Sequence, residues 1–143
     1  MTKEVIHAGP VQIRYLVESG ETGRTLAVFE AMIPTTARVP VLHSHDAFDE
    51  TVYGVTGTVI WTLDGETNRV GPGDTLFIPR GRVHGFVNLE AEDARQLCVV
   101  TPGLLGPAYF REIGEVFQAG GPPDVARIAE VMRRHGLRPV APK

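Results

Sequence analysis

The sequence predicts an all-β protein, a sandwich or barrel of short strands followed by a short helical tail. Three observations support this fold class. Sixteen glycines and eleven prolines are spread through the 143 residues, as is typical of turns between many short strands. Apolar and polar residues alternate with a period of two in residues 11–17, and further segments of the first two thirds of the chain are rich in β-favouring residues. Beyond Thr101-Pro102-Gly103 the apolar residues are instead spaced as in helices.

Seven segments are expected to be strands, because they are rich in β-favouring residues and end at turn signals. One of them contains Gly54 and Gly57 and ends at Asp64-Gly65, a dipeptide typical of a two-residue hairpin turn. A second tight turn is predicted at Gly71-Pro72-Gly73-Asp74. The predicted strands are residues 11–17, 26–33, 51–63, 67–70, 75–78, 84–89 and 95–100.

Two amphipathic helices are predicted in the tail, at residues 107–118 and 124–135. The first has Phe110, Ile113 and Phe117 at helical spacing. The apolar face of the second is expected to consist of Val125, Ile128, Ala129 and Met132.

Helices of this length are marginal in water on their own, so both must bury their apolar faces against other parts of the fold. We therefore expect residues 1–103 to form the barrel. Residues 104–143 are expected to form a helical extension that packs on the barrel within the same domain.

Composition and charge argue against several classes of protein. The net charge is -3, so the clustered Lys and Arg of a nucleic-acid-binding surface are not indicated. The sequence shows neither a run of about 20 apolar residues nor a secretory leader, so no membrane partner is expected. The single cysteine, Cys98, cannot form an internal disulfide. These observations favour a cytoplasmic protein.

Three of the five histidines form a pattern that suits a metal ion. His43 and His45 are separated by one residue, so both rings point to one face of an extended chain. Glu50 starts the next apolar stretch, and His84 reaches the others only if the sheet closes. Three imidazoles and one carboxylate suit a first-row divalent ion, whereas closed structural zinc sites commonly use cysteines. The His-X-His pair by itself is more often a surface or core feature.

Two segments resemble the conserved motifs of the cupin superfamily. Residues 37–57 read ARVPVLHSHDAFDETVYGVTG, and residues 73–88 read GDTLFIPRGRVHGFVN. The second segment matches its motif at Gly73, Pro79, Gly81, His84 and Asn88. The first departs from its motif where Ala37 replaces the leading glycine, and it matches at His43, His45, Glu50 and Gly57.

The resemblance implies a jelly-roll barrel, an antiparallel double-stranded β-helix in which the motif strands converge. It also implies that one divalent transition metal (Fe, Ni, Mn, Cu, Co or Zn) is held by His43, His45, Glu50 and His84. On an octahedral ion these four ligands leave two positions for water, substrate or dioxygen. Jelly-roll cupins further suggest a homodimer.

Alternation along the strands gives expectations for the surroundings of the metal. If Glu50 faces inward, Gly54 shares its face and is expected to leave space beside the ion. Phe86 shares the face of His84 and would give the pocket an aromatic wall. Core filling is the simpler role for at least two of Phe86, Phe77 and Trp61.

Two polar residues near the second motif are given structural roles. Arg82 alternates onto the face of His84, but its place in a turn favours solvent over a substrate carboxylate. Asn88 is expected to brace a loop.

The resemblance favours a small oxygenase of quercetinase type that acts on an enol, a phenol or another small molecule bound to the metal. Glu50 would be the catalytic residue that accepts the substrate proton. An isomerase or lyase acting on a sugar or keto acid is a second possibility, and a non-enzymatic ligand-binding protein is a third. Fold alone does not choose among them.

Overall fold

Two antiparallel sheets enclose a shared apolar core in the computed structural model, which describes residues 3–140. Two helices, α1 (Pro107–Gln118) and α2 (Val125–Arg134), follow most of the strands. In chain order the strands are β1 (Ile6–Ala8), β2 (Val11–Val17), β3 (Ala27–Ile33), β4 (His43–His45), β5 (Asp49–Thr56), β6 (Val59–Leu63), β7 (Glu66–Val70), β8 (Thr75–Ile78), β9 (His84–Val87), β10 (Ala94–Thr101) and β11 (Leu137–Pro139).

The order of strands in the sheets confirms the predicted all-β jelly-roll class. The first sheet runs β1-β2-β3-β10-β5-β8 and the second runs β11-β4-β9-β6-β7. Neighbours far apart in sequence therefore lie side by side, as β10 does between β3 and β5. The inner faces of both sheets supply the core, with side chains such as Ile33, Val52 and Val59 almost fully buried.

The predicted strand at residues 51–63 divides into β5 and β6 at Gly57. That residue has φ +69°, and a Cβ there would lie 2.6 Å from the carbonyl oxygen of Asp93. Both the backbone and the available space therefore require glycine. The predicted Asp64-Gly65 hairpin joins β6 to β7, with positive φ at both residues as a type I′ turn demands.

We expected the tail to consist of helices. After α2, however, the chain returns to the second sheet as β11. Leu137 pairs with His45 and Pro139 with His43, so the end of the chain flanks the histidine strand. Like β1, this strand has only three residues, too few to show a periodicity in the sequence.

Helix α1 occupies the predicted range, but its buried face is rotated. Tyr109, Ile113 and Val116 are buried, whereas Phe110 and Phe117 are only partly buried. The cause is the close approach of α1 to β1. A Cβ on Gly114 would lie 2.3 Å from the carbonyl oxygen of His7.

Helix α2 buries three of the four residues predicted for its apolar face, Ile128, Ala129 and Met132. Val125 is instead 39% exposed. It is the first residue of the helix, where the chain has only begun to turn toward the barrel. Among the described residues, neither helix is both long and apolar enough to span a bilayer.

Candidate metal centre

The three predicted histidine ligands come together inside the barrel. His43 and His45 lie on β4, and His84 on β9 is the direct cross-strand partner of His43. All three side chains are buried, and their potential ligand atoms lie within 4.8 Å of one another. Alternation along β4 turns both of its rings inward, and closure of the sheet brings the third ring to them.

Backbone carbonyls orient two of these rings. The Nδ1 atom of His43 lies 2.9 Å from the Val41 oxygen, and that of His84 lies 3.0 Å from the Arg82 oxygen. A carbonyl only accepts hydrogen bonds, so each Nδ1 carries the proton and donates it. Each Nε2 therefore has a free electron pair, the arrangement common among metal-binding histidines.

Burial keeps the three imidazoles neutral. Loss of hydration, reinforced by the neighbouring rings, lowers the pKa of His43 to about 3 and that of His45 to about 2. Burial also lowers the pKa of His84. Since metals bind the neutral form of imidazole, the cluster is ready for an ion near pH 7 without releasing protons.

Glu50 stands beside the histidines. It lies on β5, is 6% exposed, and places Oε1 3.8 Å from Nε2 of His45, which is too long for a hydrogen bond. Burial raises its pKa to about 7, and a hydrogen bond with the Cys98 side chain acts in the opposite direction. Within residues 3–140 no Lys or Arg pairs with this carboxyl group. Its place among the metal ligands stays a prediction.

The donor set fits a first-row divalent ion. Such an ion binds neutral imidazoles and carboxylates. Among the described residues, no Lys or Arg pairs with the buried Glu50 carboxylate and competes with an ion for it. The third ring, His45, stacks on Phe48 at 4.2 Å between ring centres, and its Nδ1 has no hydrogen-bond partner among these residues. Packing rather than a carbonyl therefore sets the orientation of His45.

A cavity of about 100 Å³ opens from this centre. One water molecule takes roughly 10–15 Å³ on the same scale, so the space accepts several waters or a small organic molecule. Its walls are mainly apolar and come from both sheets and the extension. Representative lining residues are Ile13, Phe29, Trp61, Phe86, Ile113 and Met132.

Two of the three aromatic residues considered for the pocket do line it. Trp61 and Phe86 have ring centres 5.1 Å apart and form one wall. The expectation that at least two of the three fill the core is met by Trp61, which is buried in the core, and by Phe86, which packs against it. The third residue, Phe77, is 54% exposed. Its neighbour on β8, Ile78, is fully buried, so alternation turns Phe77 to the outer face.

The expectation that Gly54 leaves space beside the metal is wrong. A Cβ at this position would lie 2.0 Å from the Gly71 carbonyl oxygen. The Gly54 N–H donates to the Asp74 oxygen, and its own carbonyl accepts from the N–H of Gly73. The absent side chain therefore makes room for the turn at residues 71–74 and not for a substrate.

The expectations for Arg82 and Asn88 agree with the structure. Arg82 is half exposed and pairs with Asp64. Asn88 is fully buried, and its amide nitrogen donates to the carbonyl oxygens of Ile33 and Glu92, both at 2.9 Å. Asn88 thus ties the loop after β9 to the end of β3.

The turn that contains Ala37, which stands where the cupin motif has a glycine, also forms. Its N–H donates to the Pro34 oxygen at 3.0 Å, and the positive φ of this turn falls on Thr36. The chain therefore forms this turn without a glycine at position 37.

Most of the cavity lining was not identified by sequence analysis, and one polar member of it is Tyr109. Tyr109 on α1 lines the same space as the histidines. Its spacing to Ile113 and Val116, four and seven residues on, is the helical signal that could have identified it.

Comparison with known proteins agrees with the fold. Residues 29–100 match the Cupin domain family. The chain is 27% identical over 124 residues to quercetin 2,3-dioxygenase of Bacillus subtilis, covering 74% of this chain and 36% of that protein. The chain thus spans little more than a third of this relative.

Two solved structures are also similar. KdgF from Halomonas sp. superposes with a TM-score of 0.62 and 25% identity, covering 69% of this chain and 86% of that one. A sugar phosphate isomerase from Silicibacter pomeroyi has a TM-score of 0.56 and 26% identity, covering 64% and 59%. Because the family match spans half of the residues and includes the whole histidine cluster, this chain belongs to the cupin domain family.

Proposed function

We propose that this protein is a metal-dependent oxygenase of quercetinase type that acts on an enol, a phenol or a similar small molecule. The observation that carries the proposal is the three-histidine cluster at the end of an apolar, aromatic-walled cavity. Such walls favour flat, apolar ligands. The similarity to quercetin 2,3-dioxygenase supports the same class of chemistry.

The histidines would hold the metal, with Glu50 as the fourth ligand of the predicted set. When bound, a divalent transition metal polarises a substrate oxygen and, if redox-active, supports reaction with dioxygen. The apolar walls exclude water from the substrate and strengthen electrostatic interactions in the site.

In this proposal Glu50 accepts the substrate proton. Its carboxylate faces the histidine cluster, and a pKa of about 7 lets it exist as a base near neutral pH. The O–H bond of the enol or phenol breaks, its electron pair stays on the substrate oxygen, and the proton moves to a Glu50 oxygen. Glu50 would then serve in turn as a metal ligand and as a base.

The test is a Glu50→Gln variant, assayed by oxygen consumption with quercetin and with simpler phenols. We expect a loss of turnover with metal still bound through the histidines. Asp49→Asn is the matched control, because Asp49 is the neighbouring carboxylate on β5 and pairs with Arg80 outside the site. Full activity of Glu50→Gln with metal bound would contradict the proposed role.

An isomerase or lyase acting on a sugar or keto acid is the second candidate. The similarity to the sugar phosphate isomerase favours it. The cavity argues against a sugar, since its mainly apolar walls leave many hydroxyl groups without hydrogen-bond partners. Turnover under anaerobic conditions would favour this candidate over the oxygenase.

A homodimer belongs to the same proposal. On the outer face of the first sheet, Tyr53, Val55 and Phe77 are 44%, 40% and 54% exposed on adjacent strands. An apolar sheet face of this kind is suited to contact with a second copy. Light scattering should give twice the chain mass of 15.5 kDa, and the monomer mass would contradict the proposal.

A further inference from the structure

Tyr109 brings a hydroxyl group to the cavity from outside the family-matched segment. It lies on α1, is 6% exposed, and lines the same space as the metal-centre residues. The side-chain atoms of residues 3–140 that are enclosed without a hydrogen-bond partner are Arg14 Nε and His45 Nδ1. The Tyr109 oxygen is not one of them, and it forms no hydrogen bond with the described residues. Tyr109 lines the cavity and its hydroxyl group is close enough to Glu50 to respond to that charge, so we take the cavity as the space that the hydroxyl faces.

A second buried tyrosine, Tyr15, uses its hydroxyl group for a hydrogen bond within the protein. Tyr15 on β2 is 5% exposed, and its hydroxyl donates to the Leu105 carbonyl oxygen at 2.8 Å. This bond fixes the segment just before α1 to the first sheet. Tyr109 forms no bond of this kind with residues 3–140, so its ring contributes to packing while its hydroxyl group is available to a bound molecule.

The surroundings of Tyr109 hold its ring in place. The ring packs edge-on against Phe110 at 5.0 Å and against His135 at 5.5 Å between centres. His135 is itself bound to Glu112 on α1. Burial and the nearby charge of Glu50 raise the pKa of Tyr109, so the hydroxyl stays protonated and serves as a hydrogen-bond donor.

Resting on the function proposed above, we propose that Tyr109 is a substrate-binding residue that donates a hydrogen bond to a second oxygen of the substrate. The metal and Glu50 would receive the reacting enol or phenol oxygen, and Tyr109 would recognise an acceptor such as a carbonyl group. The preferred substrate class is then an enol or phenol with an additional acceptor oxygen. A substrate without that oxygen would leave the buried Tyr109 donor unpaired, and such a substrate would therefore bind more weakly.

The experiment compares two probes of nearly equal shape by isothermal titration calorimetry. The probes are 2-hydroxyacetophenone, which has a carbonyl oxygen beside its phenol, and 2-isopropenylphenol, which has a CH₂ group in the same place. They are titrated into the full chain loaded with zinc, so that binding is measured without turnover. The variants are Tyr109→Phe and, as the matched control, Tyr15→Phe.

We expect the unmodified protein to bind the carbonyl probe about threefold to tenfold more tightly, as for one hydrogen bond. Tyr109→Phe should bring this ratio close to one and leave the urea midpoint of unfolding unchanged. Tyr15→Phe should keep the ratio but lower the midpoint, because it leaves the Leu105 oxygen unpaired.

Three results would overturn the inference. An unchanged ratio of the two affinities in Tyr109→Phe would mean that the second oxygen binds the metal and not the tyrosine. Equal binding of the two probes by the unmodified protein, or a lowered midpoint in Tyr109→Phe, would also reject it. These results leave the proposed function standing, whereas failure of both phenols to bind would reject the function and the inference together.

Discussion

Two unlike parts of the chain line the cavity, which we call the metal wall (β4, β5 and β9) and the extension wall (α1, α2 and β11). The metal wall presents buried polar side chains, and backbone carbonyls orient two of its three histidines. The extension wall presents mainly apolar side chains such as Ile113, Met132 and Leu137. The family match at residues 29–100 includes the metal wall and none of the extension wall.

This difference separates two properties of the site. The metal wall determines which chemistry the protein supports, because ligand type and protonation state are set there. The extension wall lines the same space, and it contains none of the residues predicted as ligands. Relatives that share the metal wall are therefore not expected to share a substrate.

The strongest test of the metal wall is removal of one ligand. His84→Ala should reduce the metal content from about one equivalent per chain to near zero after dialysis, because one of the three clustered nitrogens is lost. Elemental analysis of the purified, untagged protein measures this. His7→Ala is the control, since His7 is exposed on β1, and it should keep full metal content. Retention of metal in His84→Ala would contradict the predicted site.

Acid should destabilise the metal-free protein through the same wall. The folded-state pKa values of His43 and His45, about 3 and about 2, lie below the ordinary 6.5. The unfolded chain therefore binds more protons, and the stability present above pH 6.5 is lost as the pH falls.

Glu50 acts in the opposite direction. Its pKa is raised from 4.5 to about 7, so its contribution is present below pH 4.5 and is lost as the pH rises through 7. His43 and His45 together outweigh it, and the net loss should be about 1 kcal/mol per pH unit between pH 6.5 and 5. Urea unfolding of metal-free protein at pH 7 and 5 measures the change. His43→Gln should reduce the slope, and equal stability at both pH values would contradict the burial argument.

Gly114→Ala tests the extension wall. The added Cβ would meet the His7 carbonyl oxygen at 2.3 Å, and backbone cannot move aside cheaply. We expect a loss of about 2 kcal/mol in the free energy of unfolding, although alanine favours a free helix. Gly106→Ala is the control, because it lies at the start of the same helix and a Cβ there meets nothing within 4 Å.

The two walls should respond differently to Gly114→Ala. Metal content should stay near one equivalent while the cavity changes shape. Loss of metal from Gly114→Ala, but not from Gly106→Ala, would mean that the walls are coupled.

The smallest effect is expected at the N-terminus of α2. The Asp124 side chain accepts a hydrogen bond from the Arg127 N–H at 3.2 Å. Asp124→Ala should lower the free energy of unfolding by about 1 kcal/mol, a typical value for an N-cap. Glu115→Ala, an exposed change on α1, should alter it by less than about 0.5 kcal/mol. A larger loss of stability from Glu115→Ala than from Asp124→Ala would contradict the capping role.

Much of the fold followed from local patterns. Alternation along β2 and β3, the Asp64-Gly65 turn and the range of α1 were predicted because neighbouring residues alone specify them. The positions of His43, His45 and His84 were predicted because a ligand set needs fixed residue types at fixed offsets. The predictions that failed concerned residues whose neighbours lie far away in the sequence. Gly54 was misassigned since its neighbour, the turn at residues 71–74, is not visible in the sequence around it.

The sequence by itself therefore determined the fold class, the identity of the three clustered histidines and the presence of two amphipathic helices. Only the tertiary structure decided that β11 flanks β4, that Phe77 faces outward and that Tyr109 reaches the metal cavity. These features arise from contacts between residues far apart in the chain. Periodicity reports which face of an element is apolar, but only packing decides what that face meets.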